Sequence, residues 1–543
     1  MMGDEGETTR RELWGWYFYA WGCEPFIVSA VGTYVPILLE QMARENGFKV
    51  DDLDTPCMAP DKEMNDPSIT PITPPRATKC VVPFFGRYID TSSLALYTFS
   101  LSVFVQTLVV ISMSGAADRG KFRKKLLLGF AVIGAITTSL FIAVGSSRYY
   151  FASLLAVVSN SAFGAVSVCG NAYLPVLVNN HPLEKEGADE VEEEPLLDQG
   201  DDRVVPITER ESEEQSRQRA QLSGKISGIG VAFGYLAAFI VQIGTFCVVK
   251  VTGSSTFSLR LAVFIVGIWW LVSQIPVSLL LRSRPGPPLP EFRRSHDDRK
   301  IGRWRMMWKY VKYGWRTLFA TFKEARNMKD VAIFLLGWFI VSDAATTINS
   351  AAVLFAKTEL NMSAPSLAII GILVVFSGMA GAMTIPRYIQ PQLDRISSKK
   401  LQGGANGIIF IVLVASVIPL YGILGFYLQS LGLRRPWEMY ILAAWYGFAL
   451  GGLNTTCRSV FSILIPKGKE TTFFSLFSVT DKGSSVIGPA ITGLITDKTH
   501  NIRYTFYFLF AMMILPIAIY SCLNLERGRQ EAKSLEQVEA DDD

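Results

Sequence analysis

Charge is what this chain has least of. Asp, Glu, Lys and Arg make up 18% of its 543 residues, while 50% are hydrophobic, against roughly 25% charged in soluble domains. With a mean hydropathy of +0.28, that shortage excludes an ordinary soluble protein, because so much apolar surface needs lipid as its solvent. No His-Cys-Asp constellation, phosphate loop or nucleophile elbow occurs, so catalysis has no candidate and no cofactor is implied. Cysteine is sparse too, at seven. Cys23, Cys169, Cys247, Cys457 and Cys522 lie in or at the edges of apolar runs, where they read as small packing residues, and their spacing suits no metal. The start from Met1 to Glu12 is charged and the first apolar run is too long for a signal core, so that run is expected to remain as a helix.

What is present is a series of long uncharged runs. A helix needs about 20 apolar residues to cross the hydrocarbon core, and Leu126 to Gly145, Ser366 to Ile385 and Gly404 to Leu433 contain no charge. Twelve spans are expected. In the first half they cover 13–39, 94–113, 126–145, 149–178, 226–249 and 260–281; in the second, 331–356, 366–386, 405–428, 438–460, 473–496 and 504–524.

Two internal repeats divide them into similar halves. Asp118-Arg119-Gly120-Lys121-Phe122-Arg123-Lys124 and Asp394-Arg395-Ile396-Ser397-Ser398-Lys399-Lys400 both read Asp-Arg, three spacers, then two cations. Lys225-Ile226-Ser227-Gly228-Ile229 matches Lys482-Gly483-Ser484-Ser485-Val486, each following a proline step at Pro175 or Pro466. The expected fold is an all-α membrane protein, twelve transmembrane helices in two pseudo-symmetric six-helix bundles, which implies a transporter with a site between the halves. The expected divisions are a cytosolic tail 1–12, a bundle 13–281 with a non-cytosolic loop 40–93 and an acidic cytosolic loop 179–221, a basic cytosolic connector 282–330, a second bundle 331–524 and a cytosolic tail 525–543. Clustered Lys and Arg in the connector hold it, and with it both termini, on the cytosolic side.

Ionisable groups inside spans cost about 2.5 to 3.5 kcal/mol on insertion scales, so each is a site candidate. Glu24 in the first span and Asp343 in the seventh lie at similar depth in equivalent helices. Facing a cavity, either acid would bind a substrate ammonium or carry a coupling proton; paired with a neighbouring helix, it would be a packing group. Pro25 should free the Trp21 carbonyl for a polar ligand. Thr346 and Asn349 would line the same cavity, and Asn160, Ser161, Gln242 and Asn454 are further candidates, with interhelical hydrogen bonding as the other reading. Asp118, Arg119 and Arg123 read as a charge latch at a helix end, or as simple positive-inside anchoring; Asp394, Arg395, Asp481 and Lys482 join them as gating candidates.

The linkers carry other signals. The acidic run through Glu192 to Leu196 and Leu197 reads either as a dileucine sorting signal for an adaptor or as a solvated charge run. Basic residues interleaved with Trp304, Met307, Trp308 and Phe319 in the connector suggest an amphipathic helix on the inner leaflet, the alternative being a plain linker. Cys57 and Cys80 share the non-cytosolic loop, as a disulfide or as two thiols. That loop is proline-rich, which disfavours helix there. Asn361-Met362-Ser363 is a glycosylation sequon in a short loop.

Gly115 to Lys124 resembles the signature between helices two and three of the major facilitator superfamily, with a shift in its glycine spacing. More specific are Trp14-Gly15-Trp16-Tyr17 with Glu24-Pro25-Phe26, Asn171-Ala172-Tyr173-Leu174-Pro175, Arg458-Ser459-Val460-Phe461 with Leu464-Ile465-Pro466, and Glu470, Phe473-Phe474-Ser475, Asp481-Lys482 and Gly488-Pro489. Together they resemble the fungal vacuolar amino-acid effluxers, the autophagy-related protein twenty-two family. The resemblance implies alternating access and efflux of neutral amino acids such as leucine across the vacuolar membrane after autophagic breakdown. The implied partners are an amino-acid substrate, protons as a candidate coupling ion, the lipid bilayer and a sorting adaptor, with no nucleic acid. A transporter of another small solute and a non-transporting receptor or scaffold are the competing expectations.

Overall fold

The computed structural model describes residues 7–57, 80–84, 86–118, 122–182, 207–253, 255–284, 303–390, 392–393, 405–428, 430–465, 470–528 and 530–532. In lipid, a charge-poor run satisfies its backbone by forming a helix, and ten helices among the described residues are long and apolar enough to cross a membrane. The first half contains α1 (Arg10–Glu45), α2 (Thr91–Asp118), α3 (Arg123–Ala143), α4 (Ser146–Val178), α5 (Ile207–Thr252) and α6 (Thr256–Leu280). The connector forms α7 (Arg303–Asn327). The second half contains α8 (Lys329–Thr358), α9 (Ala364–Thr384), α10 (Ala405–Tyr427), α11 (Pro436–Leu464), α12 (Glu470–Ser484), α13 (Ile487–Thr499) and α14 (Thr505–Ser521).

Two of the expected spans fall outside the ten for physical reasons. α11 is 29 residues long, about 43 Å at the helical rise, but Glu438, Asn454 and Arg458 dilute its apolar character. The continuous span expected over 473–496 is two half-helices, α12 and α13, separated at Ser485 and Val486. Small residues from Gly483 to Ser485, and Pro489 with no amide to donate, weaken helix continuity there.

Within the first bundle α1 packs on α5 and α6, α2 on α4, and α3 on α4 and α6; in the second, α9 and α10 pack on α11 while α14 packs on α8 and α10. The bundles meet where α2 contacts α12 and α13 and where α5 contacts α9. Equivalent glycines serve both halves: a Cβ on Gly15 would lie 2.6 Å from the Leu281 nitrogen after α6, and one on Gly337 would lie 2.7 Å from the Tyr520 ring of α14. Each lets the first helix of its half touch the sixth.

Ion pairs with buried carboxylates close the same ends. Arg284 donates through Nε and Nη2 to the two Glu12 oxygens at 2.8 and 2.7 Å, and Arg527 does the same to Asp330 at 2.6 and 2.8 Å. Both carboxylates are fully buried. These fork-to-fork pairs supply geometry as well as attraction, and the sequence reading had not singled them out.

On this side α7 lies across α2. A Cβ on Gly115 would stand 2.5 Å from the Tyr310 carbonyl and one on Gly314 2.6 Å from that of Ile111, so glycine on each helix allows the backbones to touch. Trp315 Nε1 donates to Ser112 at 3.3 Å, while Trp304, Trp308, Phe319 and Phe322 remain exposed on α7.

On the opposite side, the loop after α1 holds a four-stranded antiparallel sheet, β1 (Phe48–Lys49), β2 (Asp52–Pro56), β3 (Cys80–Phe84) and β4 (Arg87–Asp90), ordered β2-β1-β3-β4. A disulfide joins Cys57 to Cys80, whose Cα atoms are 5.9 Å apart.

Candidate functional site

Pro25 cannot donate to the carbonyl one turn earlier, and α1 widens beyond it into a π-helical stretch, Phe26–Tyr34. The Trp21 carbonyl is not left for a ligand, however: the Trp269 indole of α6 donates to it at 3.0 Å. Glu24, one residue before the proline, is half-buried against α5, where a Cβ on Gly234 would come within 2.5 Å of its Cγ. The glycine makes room for the carboxylate.

Tyr235 follows on α5, and its phenol lies within electrostatic reach of both Glu24 and Arg458. Arg458 belongs to α11 and is exposed, as is Asn454 one helical turn before it. An acid from one bundle and a cation from the other thus both act electrostatically on one tyrosine. Arg458 was quoted as part of a family motif but not read as a site residue. The rule that selected Glu24, an ionisable side chain inside a span, would have selected it as well.

Asp343 has a different setting. It is 1% exposed, and its two oxygens accept the Gly488 amide at 3.0 and 2.9 Å, at the start of half-helix α13. A carboxylate there satisfies an orphan amide and meets the positive end of the helix dipole. A Cβ on Gly488 would lie 2.6 Å from Asp343 Oδ1, so the cap requires glycine. The preceding Ser342 donates to Asp481 Oδ1 at 2.6 Å, near the end of α12. Adjacent residues of α8 therefore hold both sides of the break. Ser485, in the break, donates to Thr346 at 3.0 Å, and Asn349 lines a small cavity of about 40 Å³ beside Tyr446.

The other candidates lie apart. Asn160 donates to Ser102 at 2.8 Å, tying α4 to α2, and Ser161 bonds back to its own helix at Val157. Gln242 donates to the Ala368 carbonyl of α9 at 3.3 Å, within the contact between halves. Arg123 is buried and donates to the Ala117 carbonyl at 2.9 Å, closing the end of α2. Asn361 is exposed in a left-handed turn, φ 50°. Arg119, Glu192, Leu196, Leu197, Asp394 and Arg395 lie outside the described residues, as do the side chains of Asp118 and Lys482.

On the side away from α7 the halves are closed upon each other. Ser93 donates to the Gly493 carbonyl at 3.0 Å, Ser100 to that of Val486 at 2.6 Å, and the Asp90 amide to Asp497 at 2.9 Å. His500 Nδ1 lies 3.7 Å from Asp90 there. A groove of about 730 Å³ between α9, α10 and α11 has no charged lining residue. Among the described residues no group of His, Cys, Asp and Glu could hold a metal.

Two bundles of membrane-length helices packed against each other give the major facilitator fold of two solved transporters. The nucleoside transporter NupG aligns with 94% of this chain and 99% of its own at a TM-score of 0.52 and 12% identity. An inward-open xylose transporter XylE from E. coli aligns with 97% and 98% at 0.51 and 11%. The chain belongs to the family described as vacuole effluxer Atg22 like, whose model matches residues 8–533. It is 49% identical to autophagy-related protein 22 of Yarrowia lipolytica over 98% of this chain and 99% of the relative, and 42% identical to that of Saccharomyces cerevisiae S288c over 98% and 95%.

Proposed function

We propose that this protein exports neutral amino acids, leucine among them, from the vacuole to the cytosol after autophagic degradation, by alternating access of its two bundles. The observation that carries this reading is the asymmetry of the interface between halves. Hydroxyl-to-carbonyl hydrogen bonds from Ser93 to Gly493 and from Ser100 to Val486 hold the halves together on one side, while Asn454 and Arg458 of α11 are exposed. That is one state of a two-state cycle, and a solute that favours the opposite closure would shift it. The Lys and Arg of the connector support a cytosolic position for α7 and both termini, which puts the sealed side in the vacuolar lumen. Asp118 and Arg123 at the end of α2, with Asp394 and Arg395 in the second repeat, act as gating groups in this scheme, and Leu196 with Leu197 serves as the sorting address.

Efflux of isotopically labelled leucine from isolated vacuolar vesicles tests the function. Vesicles lacking the protein should release leucine more slowly, with the rate restored by its re-expression. Unchanged release across a panel of neutral amino acids would favour another solute or a non-transporting role.

A further inference from the structure

The connector helix α7 suits neither water nor the hydrocarbon core. Seven Lys and Arg against one acid, Glu324, make it too charged to cross a bilayer. Yet Trp304, Trp308, Phe319 and Phe322 are 59% to 70% exposed, and their spacing puts the four rings on one stripe of the helix. Large exposed rings gathered on one face mark a docking surface. Arg305, Lys312, Arg316 and Lys323, all exposed, form a second stripe about a quarter-turn round. The remaining flank is occupied by α2: a Cβ on Gly314 would stand 2.6 Å from the Ile111 carbonyl, and the Tyr310 ring meets that of Phe122 at 5.5 Å.

Position decides what the exposed stripes meet. α7 crosses α2 between Ile111 and Gly115, close to the end of that membrane helix at Asp118. After α7 a single residue, Met328, with extended backbone (φ −91°, ψ 102°), turns the chain into membrane helix α8. α7 also touches α12, so it reaches from one bundle to the other. A helix pinned to the ends of two spans lies at the membrane boundary, where rings enter the acyl layer and cations stay among the headgroups.

We infer that α7 docks on anionic phospholipid of the leaflet at its own side, with Trp304, Trp308, Phe319 and Phe322 inserted and Arg305, Lys312, Arg316 and Lys323 on the charged headgroups. A basic amphipathic helix also suits an acidic protein. A groove enclosing this one would have to displace α2 from backbone distance, whereas a bilayer needs only the exposed side. The inference holds whatever solute the protein carries.

The test places a spin label on the full-length protein in nanodiscs of phosphatidylcholine, with and without phosphatidylserine, after the exposed Cys247 and Cys522 are replaced by serine. Labels at Phe319→Cys and Ala320→Cys, exposed neighbours about 100° apart round the helix, should differ. The first should be open to oxygen and shielded from a water-soluble nickel chelate, the second the reverse. Adding phosphatidylserine at low salt should lower chelate access at Phe319→Cys by about twofold or more, and high salt should reverse the change. Arg305→Gln, Lys312→Gln, Arg316→Gln and Lys323→Gln together should abolish that lipid dependence, and Lys312→Arg with Lys323→Arg, which keeps the charge, should retain it. A Phe319→Cys label as open to the chelate as the Ala320→Cys label in both lipids is the result expected of a surface for a protein partner, and overturns the docking. Equal shielding in the two lipids, or undiminished lipid dependence without the four cations, overturns the role of anionic headgroups.

Discussion

Glu24 and Asp343 occupy comparable depths in equivalent helices, yet their surroundings give them different work. Asp343 is enclosed and caps α13, and an amide oxygen can accept that same hydrogen bond, since Asn is as good an N-cap as Asp. Asp343→Asn is therefore expected to retain leucine transport within about twofold. Asp343→Ala, which leaves the Gly488 amide without its acceptor, should lower stability by about 1–2 kcal/mol, read as a lower melting temperature of the purified protein. Loss of transport in a well-folded Asp343→Asn protein would instead assign the carboxylate a charge-dependent role. Trp269 is a comparable case of a residue that completes another's backbone. Trp269→Phe keeps the ring but strands the Trp21 carbonyl, with an expected cost of about 1–3 kcal/mol in the same melting measurement.

Elements are held to one another by close glycine contacts and by ion pairs on buried carboxylates at their ends. Glu12 with Arg284 and Asp330 with Arg527 join the start of each bundle's first helix to the segment following its sixth. Of the two, only the Glu12–Arg284 pair is buried on both sides; breaking one member of a pair of that kind leaves a buried charge alone and costs about 3–5 kcal/mol, whereas replacing both with apolar residues of similar volume is often neutral. Arg284→Ala should thus melt well below the wild-type protein, and Glu12→Leu combined with Arg284→Met should recover most of the loss. A double variant no more stable than the single one would mean that the pair does more than fasten the helices. At the other scale of contact, Gly115 and Gly314 let α7 cross α2 at backbone distance, so the connector is fixed to the helix that also forms the seam with α12 and α13.

For the whole molecule the sealed side is where the bundles meet through polar atoms. His500, at the turn after α13, faces Asp90 at the entrance to α2, with Arg44 from α1, Glu359 after α8 and Asp497 from α13 around them. Imidazole changes charge between about pH 5 and 8. Protonated, it adds an attraction to Asp90 across the seam; neutral, it does not, so the added stability is present at acid pH and lost as pH rises. Spin labels at Arg87→Cys and Thr499→Cys, both exposed positions, should show the short-distance population growing from pH 7 to pH 5. The His500→Gln background should remove that growth. An equal response in both proteins would place the pH sensitivity on other groups.

Local chemistry fixed the helices before any contact between them was known. Runs such as Leu126 to Gly145 have no alternative to helix in lipid, and the paired Asp-Arg segments, with those beginning at Lys225 and Lys482, made two similar bundles legible, since repeats in sequence become repeats in packing. The depth of Glu24 and Asp343 followed from counting along single helices. Partners did not, because they come from residues far apart in the chain. Only the tertiary structure set Gly488 against Asp343, the Trp269 indole on the Trp21 carbonyl, and Arg284 on Glu12. The break between α12 and α13 was hidden for the same reason: hydropathy averages over a window, whereas the interruption is held by Ser342 and Asp343 of another helix. Arg458 had its signal in the sequence as a lone cation inside a span. That it comes within electrostatic reach of Tyr235 in the other bundle was decided by packing, which a one-dimensional pattern does not contain.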